Sequence, residues 1–338
     1  MVRVHTLDIS PPLINSSCAW ASDFAQLREL YDCPHTGAVT TRTATLKGYH
    51  QTEIHTVVFT SSSTSTLNSY GYSPHPLCSY LDWVYTLLTT TTSTRSASKK
   101  PIIISITSAD VNELAEMVTS IQELRRRLKD SATITGSVVD LSTLVAIELN
   151  TSCPNIKDAP PPAYNFPAMQ PLLHVLADAF YADPTLTIGL KLPPYLYATC
   201  FKDVVSIIAS FSFKSPVSPM NPFTFITCIN TVGSALLFSN QVQGTSSSDA
   251  NLALPMALGG LGGEAIHAIA LGNVYNFSLY LKESTNPAIR DIVVIGVGGV
   301  VSSAAVDRML KAGAGIVGCA TFLGQFGVAG FDTLLPQN

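Results

Sequence analysis

The stretch most suited to chemistry is ELNTSCPNIKDAP, residues 148–160. An apolar run over residues 145–149 stops at Asn150, and a thiol, Cys153, follows three residues later beside Pro154. A lone cysteine is more often a small core residue than a reactive group. Its position in a loop after a predicted strand leaves both roles open: packing, or action as a base or nucleophile.

Polar side chains also follow two later apolar runs. Lys191 lies at the end of one in GLKLPPY, Asn230 and Thr231 end another in TCINT, and Asn155 follows Cys153. Amides donate and accept hydrogen bonds in one plane, and a lysine within an apolar strand needs a negative partner. These residues predict a site for a planar, polar, anionic small molecule. Two simpler roles stay open: Lys191 could extend to solvent, and Asn230 could be a turn residue.

Two glycine clusters indicate a second binding site, for a phosphate group. GGLGGEAIHAIALGNV, residues 259–274, places four glycines before a predicted helix, and IGVGGV, residues 295–300, ends a predicted strand. Backbone amides at helix N-termini bind phosphate, and in barrels this site lies in the last two strand-to-helix loops. Either cluster alone is equally consistent with a structural turn. A Rossmann dinucleotide site is not supported, because no GxGxxG lies between a strand and a helix with an acidic residue after it.

Short β-branched runs alternate with amphipathic helical patterns along the chain. Apolar runs of this kind are typical of parallel strands covered on both faces. One helix is predicted from Asp110, with Glu113 at the capping-box position, to Lys129, and others over about 23–31 and 301–311. The predicted strands are 12–17, 37–43, 101–106, 145–150, 187–192, 223–231, 292–299 and 316–321. Eight strands separated by helices predict an α/β fold, the TIM (β/α)8 barrel; a doubly wound sheet is the alternative.

Three segments exceed a minimal barrel. We expect a loop or small hairpin at about 46–75, a polar surface loop at 89–98 and an active-site insertion at 234–258. The whole chain, residues 1–338, is predicted to form a single domain with these inserted loops.

Composition limits the partners and the compartment. Charged residues are 12% of the chain and the net charge is −4, which argues against a nucleic acid partner; the run Arg125 to Arg127 is predicted to be a solvated helix face. The apolar stretch 292–306 is too short and glycine-rich to span a membrane. Seven cysteines without a CxxC pair predict reduced thiols and no metal site. The first residues, MVRVHTLDIS, carry no targeting pattern, so a cytoplasmic protein is expected.

The motifs in combination resemble a known family. ELNTSCPN, GLKLPPY, TCINTVG, GGLGGE, ALGNV and VIGVGGV, in this order, resemble the dihydroorotate dehydrogenases of the soluble fumarate-linked class, class 1A, from about Pro12 to Leu335. The resemblance implies an FMN-containing TIM barrel that is cytoplasmic and homodimeric. It implies a flavoprotein oxidoreductase of pyrimidine (UMP) biosynthesis that oxidises (S)-dihydroorotate to orotate and passes the electrons to fumarate.

The resemblance also implies residue roles. Cys153 would be the general base that takes a proton from C5 while hydride leaves C6 for the flavin N5. A thiol can serve as a base near neutral pH if its surroundings lower its pKa modestly. Lys191 would lie beside the flavin N1 edge. Residues implied to contact the substrate are Arg42, Asn68, Tyr70, Gly71, Tyr72, Asn150, Asn155, Asn230 and Thr231. Residues implied to contact FMN are Ser17, Arg42, Thr43, Asn150, Lys191, Ile229, Gly263, Gly298, Gly299, Ala320 and Thr321.

The chain departs from the family pattern at several of these positions. Arg42 in VTTRTATL stands where the family has lysine, and Tyr70 and Tyr72 stand for methionine and leucine. Thr231 replaces a serine, Ala320 a glycine, and His267–Ala268 a Lys-Pro pair. Two alternatives therefore stay open: another flavin barrel such as a tRNA dihydrouridine synthase, or a degenerate barrel without catalysis.

Overall fold

The computed structural model describes residues 1–90, 99–135, 140–153, 155, 161–213, 219–244 and 251–335, with the backbone alone at 133–135. The strands are β1 (Val2–Val4), β2 (Leu7–Ile9), β3 (Leu13–Asn15), β4 (Val39–Thr40), β5 (Val57–Phe59), β6 (Ser65–Asn68), β7 (Ile102–Ile106), β8 (Val145–Asn150), β9 (Thr187–Leu192), β10 (Phe223–Cys228), β11 (Val232–Leu236), β12 (Leu258–Gly263), β13 (Val293–Val297) and β14 (Ile316–Cys319). The α-helices are α1 (Phe24–Asp32), α2 (Leu77–Thr89), α3 (Val111–Thr135), α4 (Gln170–Ala182), α5 (Ala198–Ser210), α6 (His267–Lys282), α7 (Pro287–Arg290), α8 (Ser303–Ala312), α9 (Thr321–Phe326) and α10 (Phe331–Leu334).

Eight parallel strands form the centre of the molecule, in the order β3, β14, β13, β10, β9, β8, β7, β4. The first and last strands meet through a parallel bridge between Ile14 and Ala38 and a hydrogen bond of 2.8 Å from Gly37 N to Leu13 O. The sheet therefore closes on itself, with helices around it. This confirms the predicted TIM (β/α)8 barrel.

All eight barrel strands lie within the ranges that the sequence predicts, and six of them are shorter than predicted. The predictions for β8 and β9 coincide with the observed bounds. The strand predicted over 223–231 ends at Cys228, and residues 229–231 form a loop. The strand predicted over 37–43 is only Val39–Thr40, because the Arg42 amide turns away to donate to Ala21 O at 2.9 Å.

The insertions at 46–75 and 234–258 belong to one structure. Strands β5 and β6 form the antiparallel hairpin that the sequence left as one option, and β12 pairs with β6 while β11 pairs with β12. The GGLGG run is thus mostly the strand β12 rather than a free turn before a helix. Sequence periodicity does not reveal this sheet, since its strands are almost 200 residues apart. Of the loop predicted at 89–98, residues 91–98 lie outside the described residues.

The barrel interior is layered. The antiparallel hairpin of β1 and β2 contributes Val4, Leu7 and Ile9 to an apolar cluster that includes the lower strand residues Ala146 and Phe225. Above this cluster Glu148 is buried, with hydrogen bonds from Ser105 Oγ at 3.2 Å and Thr227 Oγ1 at 2.7 Å. Side chains two residues apart face the same side of a strand. Asn150 and Lys191 therefore continue the inward face towards the carboxyl ends of the strands.

The helices cover the outside of the barrel and bury a second, larger apolar cluster. Asp110 caps α3 as predicted, accepting from Glu113 N at 2.8 Å, but the Glu113 side chain accepts from Ser108 Oγ instead of closing a capping box. The prediction that the run Arg125 to Arg127 is a solvated helix face holds for Arg126 and Arg127, which are exposed, and was wrong for Arg125. Arg125 is buried against Asp183 and Thr185, because the helix turns this residue towards the barrel. The single-domain organisation stays a prediction.

Candidate active site

One deep cleft opens at the carboxyl ends of the barrel strands. Its empty volume is about 1020 Å³ with the mouth included, at the upper end of the roughly 300–1,000 Å³ typical of ligand pockets. The sequence-predicted site residues all line it: Ser17, Arg42, Thr43, Asn68, Tyr70, Gly71, Tyr72, Asn150, Cys153, Asn155, Lys191, Ile229, Asn230, Thr231, Gly263, Gly298, Gly299, Ala320 and Thr321. Residues from all parts of the chain are thus brought together as the strand-end argument requires.

Cys153 lies in the loop after β8, inside the cleft and reachable by solvent through its mouth. Burial raises the pKa of the thiol above its ordinary value, while the Asn155 amide, Lys191 and Arg42 act in the opposite direction. The condition of a modestly lowered pKa is therefore not met at Cys153. Burial removes water from the thiolate, and this loss of solvation destabilises the charged form more than the two nearby cations stabilise it.

Two cations, Lys191 and Arg42, face the same cleft. Lys191 Nζ donates to Ser16 Oγ and to Ser17 O, both at 3.2 Å. Neither Lys191 nor Arg42 forms an ion pair within the described parts of the chain. Lys191 is 5% exposed, which excludes the alternative that it extends to solvent. Buried positive charges of this kind favour an anionic ligand.

Arg42 is held by neutral groups. Its Nη1 donates to Ser22 Oγ at 3.1 Å, and its Nη2 donates to Gln51 Oε1 at 3.2 Å and to Gly71 O at 3.4 Å. The guanidinium also lies 5.2 Å from the centre of the Tyr70 ring, within cation–π range. Burial lowers the pKa of Arg42, so that an anion in the cleft would stabilise its charged form.

The asparagines form a connected group. Asn230 Nδ2 donates to Asn150 Oδ1 at 3.1 Å and to Ser152 O at 2.9 Å, and Asn150 Nδ2 donates to Thr43 Oγ1 at 3.0 Å. Thr231 N donates to Asn230 Oδ1 at 2.8 Å. These contacts span three strand ends. Asn230 is therefore not an ordinary turn residue, since its side chain fixes a neighbouring amide.

Asn155 connects the Cys153 loop to the inserted sheet. Its Nδ2 donates to Asn68 Oδ1 at 3.0 Å and to Tyr70 O at 2.8 Å. Asn68 Nδ2 in turn donates to Gly260 O in β12 at 3.0 Å. The insertion thus forms one wall of the cleft and positions two of the predicted substrate contacts.

The tyrosines that replace aliphatic residues of the family stand in this wall. Tyr72 packs edge-on against Tyr49, with ring centres 5.8 Å apart. Burial raises the pKa of the Tyr72 hydroxyl, although the Thr107 side chain acts in the opposite direction. Gly71 approaches Tyr49 so closely that an added Cβ would lie 2.3 Å from the ring. This part of the wall is therefore closely packed and aromatic.

The opposite end of the cleft is lined by backbone. Gly298 and Gly299 follow β13 with φ of 128° and 69°, a region that favours glycine. Gly263 has φ of 78°, and a Cβ there would lie 2.3 Å from Thr64 O. Thr66 Oγ1 and Thr321 Oγ1 are 2.9 Å apart and join the inserted sheet to the start of α9.

Sequence reasoning missed several cleft residues. Ser16 and Trp20 follow the first barrel strand, and the strand-end rule applied there could have found Ser16. Thr66 has no such signal, because it enters the cleft through pairing with β12. Glu148, below the cleft, could have been recognised from the two-residue alternation that leads to Asn150.

The residues fit a phosphorylated, planar cofactor and a polar substrate. Gly298, Gly299 and Ala320 donate no backbone hydrogen bond within the described chain, so their amides are available. Lys191 and the hydroxyls of Ser17 and Thr43, which lie 2.9 Å from each other, also line the cleft. The described residues contain no cluster of three or more His, Cys, Asp or Glu side chains arranged to hold a metal ion. In these same residues, no helix combines the length and apolarity needed to cross a membrane.

Comparison with known proteins identifies the family. The dihydroorotate dehydrogenase family model matches residues 1–335. The dihydroorotate dehydrogenase (fumarate) of Trypanosoma cruzi is 32% identical over 237 residues, 70% of this chain and 62% of that protein. Dihydroorotate dehydrogenase A (fumarate) of Lactococcus lactis subsp. cremoris is 27% identical over 326 residues, 96% of this chain and 88% of that protein. A putative dihydroorotate dehydrogenase A (fumarate) of Streptococcus pyogenes is 30% identical over 191 residues, 56% of this chain and 52% of that protein.

These comparisons do not favour a tRNA dihydrouridine synthase or a degenerate barrel. The match extends along almost the whole chain, and the cleft retains the thiol, the lysine and the asparagines at the strand ends that carry the motifs. This chain belongs to the dihydroorotate dehydrogenase family.

Proposed function

We propose that this protein oxidises (S)-dihydroorotate to orotate with FMN as cofactor and passes the electrons to fumarate. The observation that carries the proposal is the convergence of Cys153, Lys191 and the asparagine group on one cleft whose far end is lined by backbone amides. Family members are flavin-dependent dehydrogenases, and the relatives named above are fumarate enzymes.

Cys153 acts as the base. The oxidation removes a proton from C5 and a hydride from C6 of the ring, and FMN, when bound, supplies the hydride acceptor. The Cys153 sulfur takes the C5 proton, and the proton returns to solvent through the mouth of the cleft. The loop after β8 brings the thiol beside the asparagines, so that a ring bound by them has its C5 edge towards the sulfur.

The asparagine group holds the substrate. A dihydroorotate ring presents alternating N–H and C=O groups in one plane, which side-chain amides match. Asn150 and Asn230 are fixed by each other, and Asn68 and Asn155 by the inserted sheet. These side chains lose their conformational entropy when the protein folds, so that binding of the substrate does not have to order them. Thr231, Tyr70, Gly71 and Tyr72 complete the walls around the ring.

The cations match the negative charges. Arg42, hydrogen-bonded to Gly71 and stacked on Tyr70, binds the substrate carboxylate and also contacts FMN. Lys191 would contact FMN and would stabilise negative charge on its ring system. The remaining cofactor contacts in the proposal are Ser17, Thr43, Asn150, Ile229, Gly263, Gly298, Gly299, Ala320 and Thr321.

The experiment is anaerobic reduction of the purified protein. The preparation should be yellow, and dihydroorotate should bleach it within one turnover; reoxidation is then followed with fumarate, oxygen and a soluble quinone in parallel. Flavin that stays oxidised under dihydroorotate would sink the proposed reaction. Faster reoxidation by quinone than by fumarate would overturn the assignment of the acceptor alone.

The proposal includes a cytoplasmic homodimer. Its support is the resemblance to the soluble class and the seven cysteines, none of which forms a disulfide within the described residues. Light scattering at micromolar concentration measures the mass directly. A mass near 36.0 kDa would show a monomer and contradict this part.

A further inference from the structure

His267 lies behind the glycine loop that ends β13. It is the first residue of α6, half-buried, and does not itself line the cleft. Its Nδ1 is 2.8 Å from Gly298 O, and Arg308 Nε in α8 donates to its Nε2 at 3.0 Å. Since a guanidinium only donates, Nε2 carries no proton. The proton is therefore on Nδ1, which donates to the Gly298 carbonyl.

The loop needs such a contact, because its own residues leave it conformationally free. Gly298 and Gly299 both have positive φ, and glycine adopts either sign of φ at little cost. A Cβ on Gly299 would lie 2.5 Å from His267 Cβ, which shows how closely the loop packs on this histidine. The plane of the Gly298–Gly299 peptide is thus set from outside the loop.

The orientation of that peptide determines where its amide points. The bond is trans, so the Gly298 C=O and the Gly299 N–H point in opposite directions. His267 holds the carbonyl on the side of α6. The Gly299 N–H therefore points away from α6, and it donates no backbone hydrogen bond within the described chain. Gly298 and Gly299 both line the cleft.

We propose that His267 is a positioning residue for the cofactor phosphate, acting through the Gly298–Gly299 peptide, and that Arg308 selects the tautomer that permits this. The inference rests on the proposed binding of FMN. The histidine never touches the phosphate; it orients an amide that does. The interaction that would be lost without His267 is a charge-assisted hydrogen bond from the Gly299 amide to the phosphate.

The experiment compares FMN with riboflavin, which lacks the phosphate. Binding to the full-length protein, freed of flavin, is measured by quenching of flavin fluorescence. His267→Ala should weaken FMN binding roughly tenfold to hundredfold, the range for loss of a hydrogen bond to a charged group, and leave riboflavin within about twofold. His267→Asn keeps a donor near the Nδ1 position and should restore most of the FMN affinity. His174→Ala, whose ring packs on Phe211 in another part of the molecule, is the matched control.

Each outcome distinguishes the inference from the proposed function. Equal weakening of FMN and riboflavin by His267→Ala would mean that the histidine only supports the fold. Unchanged FMN binding would overturn the inference while leaving FMN as cofactor. A parent protein that binds no FMN would overturn both, starting with the cofactor.

A second variant keeps the test decisive if His267→Ala does not fold. Arg308 is exposed, so Arg308→Met should fold normally. It frees His267 to adopt the other tautomer and should weaken FMN binding by a few fold without affecting riboflavin. Equal affinity of Arg308→Met and the parent for FMN would refute the role of Arg308.

Discussion

The raised pKa of Cys153 leads to a prediction for the pH dependence of the reaction. A base must be deprotonated to act, so the rate of flavin reduction should rise with pH until the thiol is ionised. With an ordinary cysteine pKa near 8.5, about 3% of the thiol is ionised at pH 7. Burial raises this pKa, so the reactive fraction at pH 7 is smaller still. The rate should rise about tenfold per pH unit from pH 6 to beyond 8.

Two substitutions test the same reasoning. Cys153→Ala removes the base and should slow flavin reduction by about 10²–10⁴-fold, the usual contribution of general base catalysis. Cys153→Ser keeps a hydroxyl that ionises only at much higher pH, so its rate should be low near neutrality and its rise displaced upwards. Cys78→Ser, at an exposed cysteine outside the cleft, is the control and should match the parent.

The assay is anaerobic stopped-flow absorbance of the flavin at saturating dihydroorotate, from pH 6 to pH 9.5. It measures the reductive half-reaction alone, so that reoxidation does not interfere. A pH-independent rate in the parent would refute the argument that burial keeps the thiol protonated. An alanine variant as fast as the parent would show that Cys153 only packs.

Three further predictions concern charge, packing and the loop. Lys191→Met removes a cation that lowers the pKa of Cys153 and should shift the pH profile of flavin reduction upwards, whereas Lys202→Met, exposed on α5, should not; coincident profiles would contradict this. Asn230→Asp replaces a buried hydrogen-bond donor by an acceptor that faces two oxygens. It should lower the free energy of unfolding by about 2–4 kcal/mol, measured by urea unfolding at neutral pH. An unchanged urea midpoint for Asn230→Asp would contradict this prediction. Gly299→Ala should abolish FMN binding, because its Cβ would lie 2.5 Å from the His267 Cβ. Gly244→Ala, at φ of 80° and with no atom of the described residues within 4 Å of an added Cβ, should bind FMN normally. FMN titration of both variants distinguishes this clash from the strain of positive φ that they share.

Three departures from the family pattern, Arg42, Tyr70 and Tyr72, fall on one wall of the cleft. Arg42 presents a planar, forked donor set where lysine presents a point charge, and its contacts with Ser22 through Nη1 and with Gln51 through Nη2 use both arms of the fork. Tyr70 lies beneath the guanidinium, and Tyr72 packs on Tyr49. The larger side chains therefore form a consistent packing arrangement rather than isolated replacements.

Much of the fold and the site could be predicted from the sequence. Apolar runs of strand length between helical patterns indicate a barrel, because parallel strands covered on both faces require such runs. The polar residues that end these runs, Asn150, Lys191 and Asn230, then lie at one edge of the barrel, and the structure places them around one cleft. The predictions of the barrel and of the polar site both depend on the spacing of residues close together in the sequence, which can be read without the structure.

Other features depend on contacts between distant segments, which no local pattern specifies. The pairing of β6 with β12 brings Thr66 into the cleft and makes two insertions one wall. The pKa of Cys153 moves upwards because the surrounding protein excludes water, an effect set by burial rather than by neighbours in sequence. The contact from Arg308 through His267 to Gly298 joins two helices and a loop. The residue types at the strand ends thus predict the chemistry from the sequence. The direction of a pKa shift and the orientation of a peptide depend on tertiary packing and can be read only from the folded structure.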